Sequence, residues 1–244
     1  MTSPHGNQGV HRIDRILESV ARAPVPPRLT DIVHETGLPR STAADLVDEL
    51  RRAGYLQRSA NTYRLGRRLQ VLTLIAKLPP PTPIEHARLG SLSRVAKTPL
   101  ALAALVGGEI LYLDAAGPQA PQRLRTIAED LRPRPALRTA AGRLLLTFAD
   151  DKQRDHVLRT VREADPESVE AFLPEMPTIR RTRVARSDGL ADVGVRALAV
   201  PVTEHGAVTA AIVLLGPRIS HRSDPVAQLS LDKAAAELLN AWLD

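Results

Sequence analysis

The chain has 244 residues, a net charge of +6 and a balance of 43% hydrophobic to 25% charged residues, which is that of a globular protein with room for one large or two ordinary domains. It has no cysteine, excluding disulfides, thiol catalysis and cysteine-ligated zinc, and its 2% aromatic content leaves no stacking platform for single-stranded nucleic acid. No apolar run reaches the ~18 residues of a membrane span, and residues 1–8 lack the apolar segment of a signal peptide, so a cytoplasmic chain without membrane contact is expected.

In chain order, Val10, Ile13, Ile16, Leu17 and Val20 recur at helical spacing and predict a helix over residues 9–22, ended by Pro24, Pro26 and Pro27. Thr30 is the expected N-cap of a second helix over 31–36, with Asp31 in its first turn and Gly37 as its break. A third helix follows, with Pro39 near its start, a buried stripe of Ala43, Leu46, Val47 and Leu50, and Gly54 at its end. Tyr55–Arg58 and Thr62–Leu65 predict a small hairpin turning at residues 59–61. Three helices and a hairpin describe a winged helix-turn-helix over residues 9–66. Leu69, Leu72, Ile75 and Ala76 suit a linker helix, and Pro79, Pro80, Pro81 and Pro83 form a stiff connector, so residues 67–83 are assigned as the linker.

Residues 84–244 alternate element types. A helix over 84–97 precedes strands at Leu100–Val106 and Glu109–Asp114, turning at Gly107 and Gly108. Helices are expected over 139–149, 150–164 and 174–187. A second hairpin, Val195–Val202 and Val208–Leu215, turns at His205 and Gly206. A last helix over 225–243 carries Leu229, Leu231, Ala235, Leu238, Leu239 and Trp242. Hairpins with helices between them predict an α+β domain on an antiparallel sheet, and the fold class of the whole chain is mixed.

The charge is not spread evenly. Residues 1–83 hold 12 Arg and Lys against 7 Asp and Glu, whereas residues 84–244 hold 21 against 20. From Arg51 to Lys77 every charged residue is basic. A localised basic stripe is the footprint of phosphate binding. The reading helix of such a motif meets base edges with its N-terminal residues. Burying its apolar stripe leaves Ser41, Thr42, Asp45 and Arg52 outward, with Arg40 at the front as a fork-shaped donor for guanine or phosphate. Arg52, Arg58 and Arg64 are the candidate phosphate holders. Asp45 places a negative charge on the reading face, where it accepts from a cytosine amino group or orients Arg40 or Arg52.

Enzyme chemistry finds little support. Seven histidines are scattered without metal-ligand spacing, so neither a metal nor a cofactor is expected. Ser220-His221-Arg222-Ser223-Asp224 contains triad residue types, but adjacent positions do not assemble a triad. Glu129-Asp130 and Asp150-Asp151 read as surface turns or caps. No nucleophile elbow or phosphate-binding glycine loop is present. Two alternatives to a DNA-binding regulator stay open at this point: a winged-helix module that binds protein without a small-molecule effector, and a small-molecule enzyme.

Three short blocks carry a family resemblance: residues 38–42 (LPRST), 50–56 (LRRAGYL) and 63–66 (YRLG). Further on, residues 137–143 (LRTAAGR), 194–202 (GVRALAVPV) and the strand end at Leu215-Gly216-Pro217 extend it over roughly residues 9–242. In these blocks the chain resembles the IclR family of bacterial regulators. The resemblance implies a homodimer or homotetramer bound to double-stranded operator DNA. It also implies a GAF-like effector-binding and oligomerisation domain over residues 84–244 that takes a small metabolite. It marks Arg138, Thr139, Ala140 and Gly142 as the pocket loop and helix start, and Ala197, Val213 and Leu215 as pocket-lining strand positions. This chain has Asp45 and Arg143 where the family commonly has a basic residue and Lys, and apolar residues at the three strand positions. An apolar lining suits an apolar or aromatic ligand. Arg138 and Thr139 are the polar candidates at the pocket mouth, Arg138 as a carboxylate partner. The resemblance also implies that the pocket signals through the linker helix to the spacing of two reading helices.

Overall fold

The structure is a computed structural model, and it describes residues 8–76, 84–117, 128–204, 206–217 and 225–241. The chain divides into two compact units, Met1–Pro79 and Pro80–Asp244.

The first unit runs α1 (Gln8–Arg22), α2 (Leu29–Thr36), α3 (Arg40–Arg52), β1 (Leu56–Ser59), β2 (Thr62–Leu65) and α4 (Arg68–Ile75). Its core is one cluster in which Ile16 and Val20 of α1, Ile32 of α2, Ala43, Val47 and Leu50 of α3, and Leu56 and Tyr63 of the hairpin meet. The second helix starts earlier than expected. Its N-cap is Arg28, not Thr30, because the Asp31 carboxylate accepts from the Arg28 N–H at 2.8 Å and satisfies the chain where it enters the helix. Gly37 ends that helix in the left-handed region at φ 61. The Tyr55 N–H donates to the Leu50 carbonyl at 2.8 Å, which holds Tyr55 in the helix exit and starts β1 one residue later than expected. Gly66 closes the wing. A Cβ there would lie 2.1 Å from the Gly54 carbonyl oxygen, so only glycine lets β2 return beside the exit of α3. The Tyr63 N–H also donates to the Pro27 carbonyl at 2.8 Å, tying the wing to the loop before α2.

The second unit is a six-stranded antiparallel sheet in the order β5-β4-β3-β8-β7-β6. Its strands are β3 (Leu100–Val106), β4 (Glu109–Ala116), β5 (Arg134–Pro135), β6 (Ala185–Asp188), β7 (Val195–Glu204) and β8 (Ala207–Pro217). Helix α5 (His86–Ala96) and the last helix α10 (Pro225–Ala241) pack on one face, where Leu100, Leu102, Leu198, Val200 and Ile212 meet Leu89, Ala235 and Leu238. On the other face α6 (Ala140–Phe148), α7 (Asp151–Ala164), α8 (Pro166–Phe172) and α9 (Met176–Thr182) cover Ala101, Ala103, Ala197, Ala199, Ala211 and Val213. Alanines on the sheet let α6, whose residues from Ala140 to Thr147 are all buried, lie close against it.

The expected helix over 174–187 is corrected. A 3-10 turn at Leu173–Glu175 leads into α9, Arg183 takes φ 55, and the chain then enters edge strand β6. Within β6 Ala185 and Ser187 are buried while Arg186 and Asp188 are exposed, a two-residue period too short to show in the sequence. Helix α8 was also hidden; Asp165 caps it and Pro166 opens its first turn. Gly107 and Gly108 make the β3–β4 turn with φ 59 and 91, and Gly206 in the β7–β8 turn has φ 82. The Pro79–Pro83 connector, His205, the polar run Ser220–Asp224 and Trp242 lie outside the described residues. Among the described residues no helix is long and apolar enough to cross a membrane.

Candidate nucleic-acid interface

The third helix begins without a side-chain cap. Its N-cap is Pro39, and the first N–H returned to the chain is that of Ala43, on the Pro39 carbonyl at 2.9 Å. The N–H groups of Arg40, Ser41 and Thr42 thus stand at an uncapped, positive helix end, a natural seat for phosphate. Arg40, Ser41 and Asp45 are exposed and Thr42 is half-buried, so the stripe that packs Ala43, Val47 and Leu50 turns these four outward. No hydrogen bond or ion pair engages Arg40 or Arg64 among the described residues.

The other two candidate arginines are already engaged. Asp48 accepts from both Nε and Nη2 of Arg51, at 3.1 and 2.8 Å, and from Arg52. The Arg51 hydrogen bond in particular holds the Asp48 carboxyl below its ordinary value. In the wing, Arg58 pairs with Tyr63 and Gln57 with Arg64 across the strands. Side chains alternate between faces, so Arg58 and Arg64 emerge on opposite faces. Arg58 folds back on its own turn, donating to the Ala60 carbonyl at 2.8 Å and to Asn61 Oδ1 at 3.1 Å. Arg64 shares the outward face with exposed Gln57, which sequence reasoning had not singled out.

In the second unit the expected pocket residues gather around β7. Ala197 pairs with Leu215 on one side and with Ser187 on the other, and the Ser187 hydroxyl donates to the Arg138 carbonyl at 2.8 Å. Thr139 is spent on helix capping: its hydroxyl accepts from the Gly142 N–H at 3.0 Å and donates to the Ala136 carbonyl at 3.2 Å. A Cβ at Gly142 would lie 2.0 Å from that same carbonyl oxygen, so the glycine is required by packing. Ala140 is buried in the first turn of α6, and Ala197 and Val213, buried, and Leu215, partly so, belong to the apolar layer beneath that helix. Arg138, the expected carboxylate partner, is half exposed and paired with Asp165 at 2.8 Å. That bond, with a second from Ser168, lowers Asp165 to about 2. Arg143 is buried and braced, its Nε on the Leu137 carbonyl at 2.9 Å and its guanidinium on Glu175. Sequence reasoning missed Ser187, hidden in the expected helix, and Arg134, which pairs with Asp192 at 2.6 Å.

Comparison with known proteins decides the lineage. The IclR helix-turn-helix domain model matches residues 9–60, and the model of the bacterial transcriptional regulator IclR C-terminal domain matches residues 83–238. The chain belongs to the IclR family. This IclR-family regulator is 27% identical to the probable transcriptional regulator SauR of Cupriavidus necator over 95% of its own length and 91% of the relative. Among solved structures, a putative IclR regulator from Silicibacter sp. TM1040 is 25% identical with a TM-score of 0.67, covering 95% of this chain and 94% of that one. An IclR-family regulator from Brucella abortus shares the fold at 21% identity and a TM-score of 0.62, covering 99% and 95%. An IclR homolog from Microbacterium hydrocarbonoxydans, solved in complex with 4-hydroxybenzoate, shares it at 24% identity and 0.59, covering 93% and 95%.

Proposed function

We propose that this IclR-family transcriptional regulator reads its operator with the start of α3. Ser41, Thr42 and Arg40 meet bases or phosphates in the major groove, Asp45 accepts from a cytosine amino group, and Arg52, Arg58 and Arg64 hold the backbone. The observation that carries this reading is the uncapped N-terminus of α3, with Arg40, Ser41 and Asp45 exposed beside it. Arg64, which has no partner to give up among the described residues, is the strongest of the three phosphate contacts. Arg52 and Arg58 must share themselves with Asp48 and the wing turn.

The functional unit is a homodimer or homotetramer. Supporting this, α4 buries none of its residues within its own unit and exposes Leu69, Val71, Leu74 and Ile75. An apolar helix left in water is a candidate self-association surface. Two reading helices in a dimer set half-sites about 34–36 Å apart, or a multiple of it. The second unit binds a small apolar or aromatic effector against the Ala197, Val213 and Leu215 layer, at the loop of Arg138, Thr139, Ala140 and Gly142. The chain works in the cytoplasm and is not an enzyme. The Microbacterium homolog was solved in complex with 4-hydroxybenzoate, which supports an aromatic ligand for this unit.

The test is fluorescence anisotropy of the full chain on duplex from upstream of its own gene, against scrambled duplex, over a salt series. Each phosphate contact adds about −0.9 to the log–log salt slope. Selective binding with a steep slope supports the reading. Equal affinity for both duplexes and a flat slope would falsify it for that promoter and favour the protein-binding alternative.

A further inference from the structure

Arg134 lies on edge strand β5 with its side chain only 18% exposed. Ala136 and Leu137, which follow it, belong to the apolar layer under α6. A guanidinium in that setting needs an anion, because a buried lone charge is costly. The anion is Asp192, 19% exposed and 2.6 Å away, and Arg134 also donates to the Ala191 carbonyl at 3.2 Å. The two partners are mounted differently. Arg134 sits on a strand paired to β4 at one edge of the sheet. Asp192 sits in the loop of residues 189–194, between β6 and β7 at the other edge. Gly189 and Gly194 bracket that loop with φ 71 and 85, and its apolar side chains Leu190 and Val193 are 45% and 91% exposed. The loop thus has few apolar anchors of its own.

Arg134 pairs with Ile110 across the strands, and Tyr112, two residues further along β4, lies on the same face beside it. Its phenol is buried, and Arg134 and Asp192 are the charges that act on it. Burial pushes it up to about 12, with Arg134 pulling it down and Asp192 raising it, so at neutral pH it is an O–H donor.

We propose that Arg134 and Tyr112 form the anchor for the carboxylate of a small apolar or aromatic acid, and that Asp192 occupies this anchor until the acid displaces it. This rests on the effector reading of the second unit. The exchange is carboxylate for carboxylate, so Arg134 stays paired throughout while Asp192 returns to water with its loop. Charge pairing is conserved in both states, and ligand concentration selects between them. The acid's apolar body rests on the layer under α6. Arg134 fits this role better than Arg138, which is half exposed and held by Asp165.

The test uses the full chain and benzoate, with benzamide as the uncharged isostere, in titration calorimetry. Asp192→Asn keeps the side-chain shape and removes the competing charge, so it should bind benzoate at least tenfold tighter than the unmodified chain. The double variant Arg134→Gln with Asp192→Asn leaves no uncompensated charge, should fold, and should lose that gain. Benzamide affinity should move less than twofold across the set, and chymotryptic cutting after Leu190 should quicken when benzoate is added. The proposal is overturned if Asp192→Asn binds benzoate no tighter, if the gain survives in the double variant, if Leu190 cutting is indifferent to benzoate, or if no form binds benzoate. Operator binding measured on the same preparations separates the failures. A chain that binds operator yet fails these tests loses the anchor alone, whereas absent operator binding would count against the regulator reading.

Discussion

The candidate arginines of the two units are engaged to different degrees. In the first, Arg40 and Arg64 extend from α3 and the wing without a partner among the described residues, while Arg52 is held by half-buried Asp48 and Arg58 by its own exposed turn. In the second, Arg134, Arg138 and Arg143 are each claimed by a carboxylate, and Arg143 is almost wholly buried. The difference separates two uses of one side chain. An arginine without an internal partner can take an outside anion at no cost to the fold, whereas a paired one also braces the structure around it.

The largest effect expected from this contrast is structural. Gly142→Val would drive a side chain into the Ala136 carbonyl and should destabilise the second unit by about 3 kcal/mol or more. Calorimetry should show one transition falling while the transition of the first unit holds, and a common shift of both would contradict the division into units. Next, Arg64→Ala should weaken binding to all duplexes and flatten the salt slope by about 0.9. Arg58→Ala should flatten it less, because Arg58 already serves the wing turn; equal slopes would erase the distinction drawn between opposite faces of the wing. Thr42→Ala should change sequence preference by about 1–3 kcal/mol at one base pair and leave the slope alone. A uniform loss on all sequences would remove Thr42 from the reading set.

The smallest effect is a pH dependence. Asp165 titrates at about 2 in the folded chain against an ordinary value of 3.8, so its pairing with Arg138 adds stability above about pH 4. That contribution is lost as pH falls through about 2. Asp165→Asn should therefore lower the urea midpoint at pH 7 and match the unmodified chain near pH 2. A difference that persists there would mean that packing, not charge, is responsible.

Much of the first unit was legible because its signals are local. Gly37 and Gly54, the apolar stripe of α3 and the turn residues of the wing each act within a few positions of themselves. What was misread there was the cap of α2, expected at Thr30 and found at Arg28, whose N–H meets the Asp31 carboxylate. That contact depends on a neighbour three residues away that composition does not rank. The second unit was legible in its hairpins and less so between them. Ala185–Asp188 joins the sheet only because β7 lies beside it, and nothing in four residues of mixed polarity announces that pairing. The family blocks marked the loop around Thr139 and Gly142, yet not what those residues do there.

By itself the sequence determined the order of elements in the first unit, the two hairpins of the second, and the placement of excess positive charge in the first third. These follow from periodicity, turn chemistry and charge count, which are properties of neighbours along the chain. Only the tertiary structure decided which arginines have internal partners, which face of the wing each occupies, and that Arg134 and Asp192, 58 positions apart, meet across the sheet. Such pairings form because folding brings distant segments together and a buried charge must find its counter-ion. No local pattern encodes that requirement.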